Sequence, residues 1–164
     1  MRRVDREMPK EFALEVLDKC EFAIISMVDK DKPYCVPISI ARNENVIYFH
    51  SAKNGRKVQI LKVNPKVCVS AVGDTKRAKD KFTTEYESAI IEGLASEVTD
   101  DEEKILVLRL ISERHTPENM INFKEAISKS LFRTAVWKIE METISGKRKK
   151  YDSEDKEMKY GRME

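Results

Sequence analysis

The segment Val46-Ile-Tyr-Phe-His-Ser-Ala-Lys-Asn-Gly-Arg-Lys57 gathers a hydroxyl and two cations, Ser51, Arg56 and Lys57, around an Asn-Gly turn. Residues 46–49 are β-branched or aromatic, as in a strand; Asn54-Gly55 interrupts them, and residues 57–63 take up a helical pattern. A helix starting there offers unpaired backbone N–H groups and the positive end of its dipole. Arginine forks two phosphate oxygens and lysine adds a point charge, so the chemistry these residues suit is capture of a phosphoryl group. The plain alternative is a solvated turn, because basic side chains are usually exposed.

Other reactive side chains point to less. Cys20, Cys35 and Cys68 are odd in number, widely spaced and without a C-x-x-C pair, which argues for reduced, mostly buried thiols and against a disulfide framework or a metal site. His115 follows Arg114 at a predicted helix end, where a cation suits the dipole. There is no G-x-G-x-x-G, so a Rossmann dinucleotide fold is not expected. Lys plus Arg number 31 against 29 Asp plus Glu, so any anion site is local and there is no broad basic field for nucleic acid. The basic residues at 2–3, 76–81 and 147–150 are mixed with acids and lack interleaved aromatics for stacking bases. The first residues form no apolar signal segment and no run is long enough to span a membrane, so a cytoplasmic protein is expected.

These side chains need a scaffold, and 164 residues suit one domain. Pro9 opens an amphipathic helix with Phe12, Ala13, Val16, Leu17 and Cys20 on one face. Residues 22–28, 34–41 and 46–50 read as three successive strands of a meander, separated by the turns at 29–33 and 42–45. The helix from Gly55 should stop at Asn64-Pro65, followed by a strand over 66–72, a mobile lysine-rich loop over 73–82 and a long strand over 83–98 with a bulge at Gly93. Asp100 and Glu103 form a capping box for a helix, and Thr116-Pro117 opens another to about Lys129. Residues 131–144 alternate, with Ala135, Trp137, Ile139 and Met141 on one face, as in a half-buried closing strand. Trp137 is expected in the core or at a subunit interface. The division is a domain over 1–146 and a charged tail over 147–164, mobile or loosely docked. Strands in this order with helices inserted late predict a mainly β protein, a six-stranded antiparallel barrel.

Three segments, Pro33-Tyr-Cys-Val-Pro-Ile-Ser-Ile40, Tyr48-Phe-His-Ser-Ala-Lys-Asn-Gly-Arg-Lys57 and Thr84-Glu-Tyr-Glu-Ser-Ala-Ile-Ile-Glu-Gly93, together resemble the pyridoxamine 5′-phosphate oxidase-like split-barrel flavoproteins, in particular the nitroimidazole-resistance branch. Arg3 and Arg6 before the first helix and Ile144-Ser-Gly-Lys147 near the end resemble that branch too. The resemblance implies a split β-barrel that binds FMN at a homodimer interface. It implies that Ser51, Arg56 and Lys57 hold the phosphate with His50 beside them. Val36, Pro37, Ile38 and Ser39 would lie along the isoalloxazine ring, and Ser88 stands where the oxidases carry a glutamine near the flavin. Physically, a proline inside a strand donates no ladder bond, so Pro37 predicts an edge or bulged strand with main-chain groups free for a ligand, or an edge protected against aggregation. His50 has three open roles: phosphate ligand, proton donor to a substrate, or cover for the barrel rim. The implied activity is an FMN-dependent reduction of a small aromatic or nitro compound by NAD(P)H, with no acid–base pair required of the protein. A module that stores, senses or delivers flavin without turnover is the alternative. Pyridoxamine phosphate oxidation itself is not expected, because the C-terminal basic and aromatic substrate residues of that subgroup are missing.

Overall fold

The structure is a computed structural model that describes residues 2–78 and 80–159. Its sheet contains eight strands: β1 (Glu7–Met8), β2 (Ala23–Asp29), β3 (Lys32–Ile38), β4 (Ala41–Asn43), β5 (Val46–Ala52), β6 (Lys66–Ala78), β7 (Thr83–Val98) and β8 (Thr134–Lys149). Among the described residues four α-helices accompany them: α1 (Lys10–Lys19), α2 (Arg56–Val63), α3 (Asp101–His115) and α4 (Phe123–Ser130). Every pairing is antiparallel, in the order β3-β2-β6-β7-β8-β5-β4, with β1 added to the far end of β8. β3 and β4 end the sheet on opposite sides and do not pair, yet only Ser39 and Ile40 connect them. So short a link spans at most about 10 Å, so the sheet must curl until its two ends meet at an open seam. This is a split barrel, mainly β with inserted helices.

The barrel has eight strands where six are expected, and the two additional ones, β1 and β4, are the shortest. The expected strand over 34–41 divides at Ser39-Ile40, where Ile40 is wholly buried. The expected meander is also corrected, because β5 pairs with β8 and β4, never with β3. Pro33 and Pro37 make β3 a poor template for a further strand, since neither supplies an N–H to a ladder.

The expected loop over 73–82 is largely strand, with β6 running to Ala78 against β7. Cross-strand charge pairing explains why a lysine-rich segment is ordered: Lys76 lies 3.7 Å from Glu85 on the facing strand. The bulge falls at Glu92/Gly93 as predicted, and a Cβ at Gly93 would run into the carbonyl oxygen of Glu140. Asp100 caps α3 by accepting from the Glu103 N–H at 2.8 Å. Thr116-Pro117 opens a 3₁₀ segment, Pro117–Asn122, before α4 begins. β8 continues three residues past Gly146, and beyond it Tyr151 bridges to Glu157, whose carboxylate accepts from Arg6.

The barrel interior is filled by Ile25, Ile47, Phe49, Val69, Ile91, Trp137 and Ile139 and closed by Val16 and Leu17 of α1. Trp137 stacks on Phe49 with ring centroids 6.4 Å apart. A second cluster forms outside the barrel, where Val107, Leu108 and Ile111 of α3 and Phe123 of α4 cover Val136 and Val98. Among the described residues no helix is long and apolar enough to cross a membrane.

Candidate functional site

The start of α2 is built around Gly55, whose φ of 134° a side chain would strain, with open space where a Cβ would project. No side chain caps this helix and no acid sits in its first turn; the first two residues are instead Arg56 and Lys57. Two cations at the positive end of a helix oppose its dipole by about 0.3–1 kcal/mol each. An anion bound among them reverses the sign of that interaction.

The two side chains leave the helix in different directions. Arg56 lies over the Tyr34 ring at 4.5 Å and donates to Asp29 at 3.2 Å, reaching the β2–β3 hairpin. Lys57 turns to β5, with its ammonium 5.1 Å from the centre of the Phe49 ring, and burial holds its pKa below the ordinary lysine value. His50, on the exposed side of β5, also has a lowered pKa: the protein packed around it contributes most, then the Lys57 charge, then His115. The His115 Nε2 lies 2.8 Å from the Ile40 carbonyl, so that nitrogen carries the proton and donates. Two histidines and one lysine therefore share one field with no carboxylate among the causes of the His50 shift.

Ser51 sits at the end of β5 and donates to the Ala52 carbonyl at 2.9 Å, a local bond that a stronger acceptor would displace. Val36, Pro37 and Ile38 lie on β3, with Ser39 just beyond its end. β3 is an edge strand, paired only with β2, as Pro37 predicts. Tyr34, Val36 and Ile38 alternate toward the protein while Cys35 and Pro37 are exposed. From Tyr34, beside Arg56, to Pro37 is about 10 Å of strand, so the hairpin connects the cationic loop to this free backbone edge.

Ser88 is placed elsewhere. It pairs with Val72 and Lys147, whereas His50 pairs with Val136, eleven residues back along β8. It shares the outer face of the sheet with Pro37, across a row that runs Pro37, Ile24, Ser70, Ile90. One chain thus sets Lys57 beside His50 and Arg56 beside β3, with Ser51 at the end of β5 between them in sequence, and leaves Ser88 apart. Sequence reasoning passed over Tyr34, Asp29, Phe49 and the nearness of His115 to His50. Alternation along 34–38 was a signal for Tyr34; nothing local signals His115.

An open antiparallel barrel with a cationic loop beside a free strand edge defines the split-barrel class. The chain belongs to the pyridoxamine 5′-phosphate oxidase family, whose model matches residues 9–148. Among solved structures it is similar to a candidate 5-nitroimidazole antibiotic resistance protein from Bacteroides thetaiotaomicron, at 21% identity and a TM-score of 0.71, over 87% of this chain and 86% of that one. It is also similar to the FAD and heme binding protein from Mycobacterium smegmatis, at 19% identity and 0.75, over 88% and 73%. An FAD-binding protein from Mesorhizobium loti follows at 18% and 0.60, over 87% and 96%. At these identities the likeness is one of fold. No curated protein matches the chain.

Proposed function

We propose that the chain binds FMN, with the phosphate at the start of α2 among Ser51, Arg56, Lys57 and His50, and the ring along Val36, Pro37, Ile38 and Ser39. The observation that carries this reading is the first turn of α2, which holds two cations, no acid and no cap behind a glycine with open space beside it. The free edge of β3 fits the other end, because its unpaired main-chain groups match the mixed donors and acceptors of a flavin's pyrimidine ring. The flavins named for the Mycobacterium and Mesorhizobium relatives support the same cofactor class.

A bound flavin would supply two-electron chemistry, so the chain is an oxidoreductase in this reading. NAD(P)H gives up a hydride and, with one proton from water, a nitro acceptor goes to nitroso with loss of one water. The protein orients, shields and charges the site. Arg56 and Lys57 fix the anionic end, β3 sets the ring plane, and His50, the candidate catalytic group, places an imidazole beside the phosphate. A homodimer would cover the outer face on which Ser88 and Pro37 both lie.

Freshly purified protein should show flavin absorbance bands. Arg56→Ala combined with Lys57→Ala should weaken FMN binding by about 2–4 kcal/mol, since each charged hydrogen bond contributes roughly 1.5–3 and both groups are partly solvated. Unchanged affinity would move the phosphate elsewhere. Anaerobic NADH or NADPH should bleach the bound flavin; a protein that binds flavin but is not bleached by either is the storage or sensing module instead.

A further inference from the structure

Between α3 and α4 lies a groove of about 540 Å³, a volume in the range of small-ligand sites. Its walls follow helical spacing. α4 contributes Lys124, Ile127 and Leu131, at i, i+3 and i+7, and α3 contributes Lys104 and Ile105, so each helix turns one continuous stripe toward the gap. The stripe running on from α4 is about 10 Å long, at the helical rise per residue. Lys53 and Phe132 close one end, where the pairing of Ala52 with Thr134 sets the loop after β5 beside the segment that leads into β8.

The apolar lining is only half used by the protein itself. Ile105, Ile127 and Leu131 are partly buried against the outer cluster of Val107 and Phe123, and Phe132 is 72% exposed. Charge then restricts what can cover them. Three ammonium groups, Lys53, Lys104 and Lys124, stand against one carboxylate, Asp101, which Lys104 holds at 2.9 Å. The neighbouring acids Glu103 and Glu125 are paired with Lys138 and Lys129, while Lys53 and Lys124 are exposed and have no ion-pair partner among the described residues. An uncharged apolar occupant would desolvate these lysines without compensation, and a wholly polar one would leave the aliphatic and phenyl carbon wet. We infer that the groove binds an aromatic carboxylate, its ring against Phe132 and the apolar stripe and its carboxylate held by the lysines of the rim. The groove shares no residue with the start of α2, so this site is separate from that of the flavin phosphate.

The test titrates purified protein with naphthoate, followed by calorimetry and by amide NMR shifts. Binding should saturate, with shifts centred on residues 53, 104–105 and 124–132, and naphthylmethanol, the same ring without the charge, should bind at least about tenfold more weakly. Lys53→Gln with Lys124→Gln should weaken naphthoate by about tenfold or more, and Phe132→Ala by about three- to tenfold. All three side chains are exposed, so the midpoint of thermal unfolding should not move. Absence of saturation, shifts centred elsewhere, equal binding of the alcohol, or variants that bind as the native protein does each overturn the site. Octanoate binding as tightly as naphthoate overturns the aromatic assignment. A sedimentation coefficient that falls on Phe132→Ala gives the groove to a second copy of the chain and overturns the small ligand.

Discussion

His50 and Lys57 make the proposed site measurable through protons. In the free protein the His50 pKa is held below its ordinary value by the desolvation that the neighbouring protein imposes on one side of the ring, then by Lys57 and by His115. A phosphate dianion beside the ring favours the charged form, so flavin binding should raise that pKa, as followed by NMR of the imidazole. The sign carries to affinity. A pKa higher in the complex than in the free protein means that binding takes up a proton, so affinity strengthens as pH falls from the bound pKa to the free one. A His50 resonance that titrates identically with and without FMN would remove it from the site. Arg56, Lys57 and Ser51 are legible in the sequence because seven consecutive residues carry strand end, turn and helix start together. His115 is not, because its place beside His50 depends on α3 folding back over the seam at Ile40.

The strands show why local pattern identifies an element better than its neighbours. β7 covers the whole predicted range, since its alternation, its glycine bulge and its β-formers agree. The pairing of β5 with β8 is set by which apolar faces meet in the barrel, and 46–50 carries no mark of that choice. Gly93 is the element's tightest point: Gly93→Ala should cost about 1–3 kcal/mol, read as a lowered midpoint of thermal unfolding, because the obstacle is backbone that cannot rotate away. The C-terminal segment was legible only as charge, since it docks by ion pairs rather than by an apolar stripe. Its hydrogen bonds to Arg6 and Lys159 hold Glu157 down to about 2, while Arg3 and Lys159 hold Asp5 well below the usual carboxylate range. A lowered carboxylate pKa adds stability above the unfolded value and loses it as pH falls toward the folded one. Amide protection at Met158 and Asp152, both bonded to backbone carbonyls, should therefore be full at neutral pH and decline between about 4.5 and 2. Glu157→Gln should show at neutral pH the loss of protection that native protein shows only in acid; equal protection would mean that the segment is held without this pair.

At the scale of the whole molecule, the outer face of the curled sheet carries an exposed apolar patch. Phe22 and Val72 are each 52% exposed and Ile90 40%, and they surround Ile24, Ser70 and Ser88 on a surface crossed by β2, β6 and β7. Contiguous apolar surface of this kind marks an interaction site when it exceeds what isolated side chains explain. A symmetric second copy is the simplest cover, since the same patch then serves both chains. Ser88 lies on this patch and Lys147 pairs with it on β8, so a dimer formed here would cover both. Sedimentation velocity should give a dimer that persists in high salt, because the contact is apolar rather than ionic. Ile90→Arg should yield monomers, and, if a partner helps to enclose the flavin, those monomers should also lose much of their FMN affinity. A monomer that binds FMN as tightly as the native protein would show that one chain encloses the flavin alone and that this face serves another purpose.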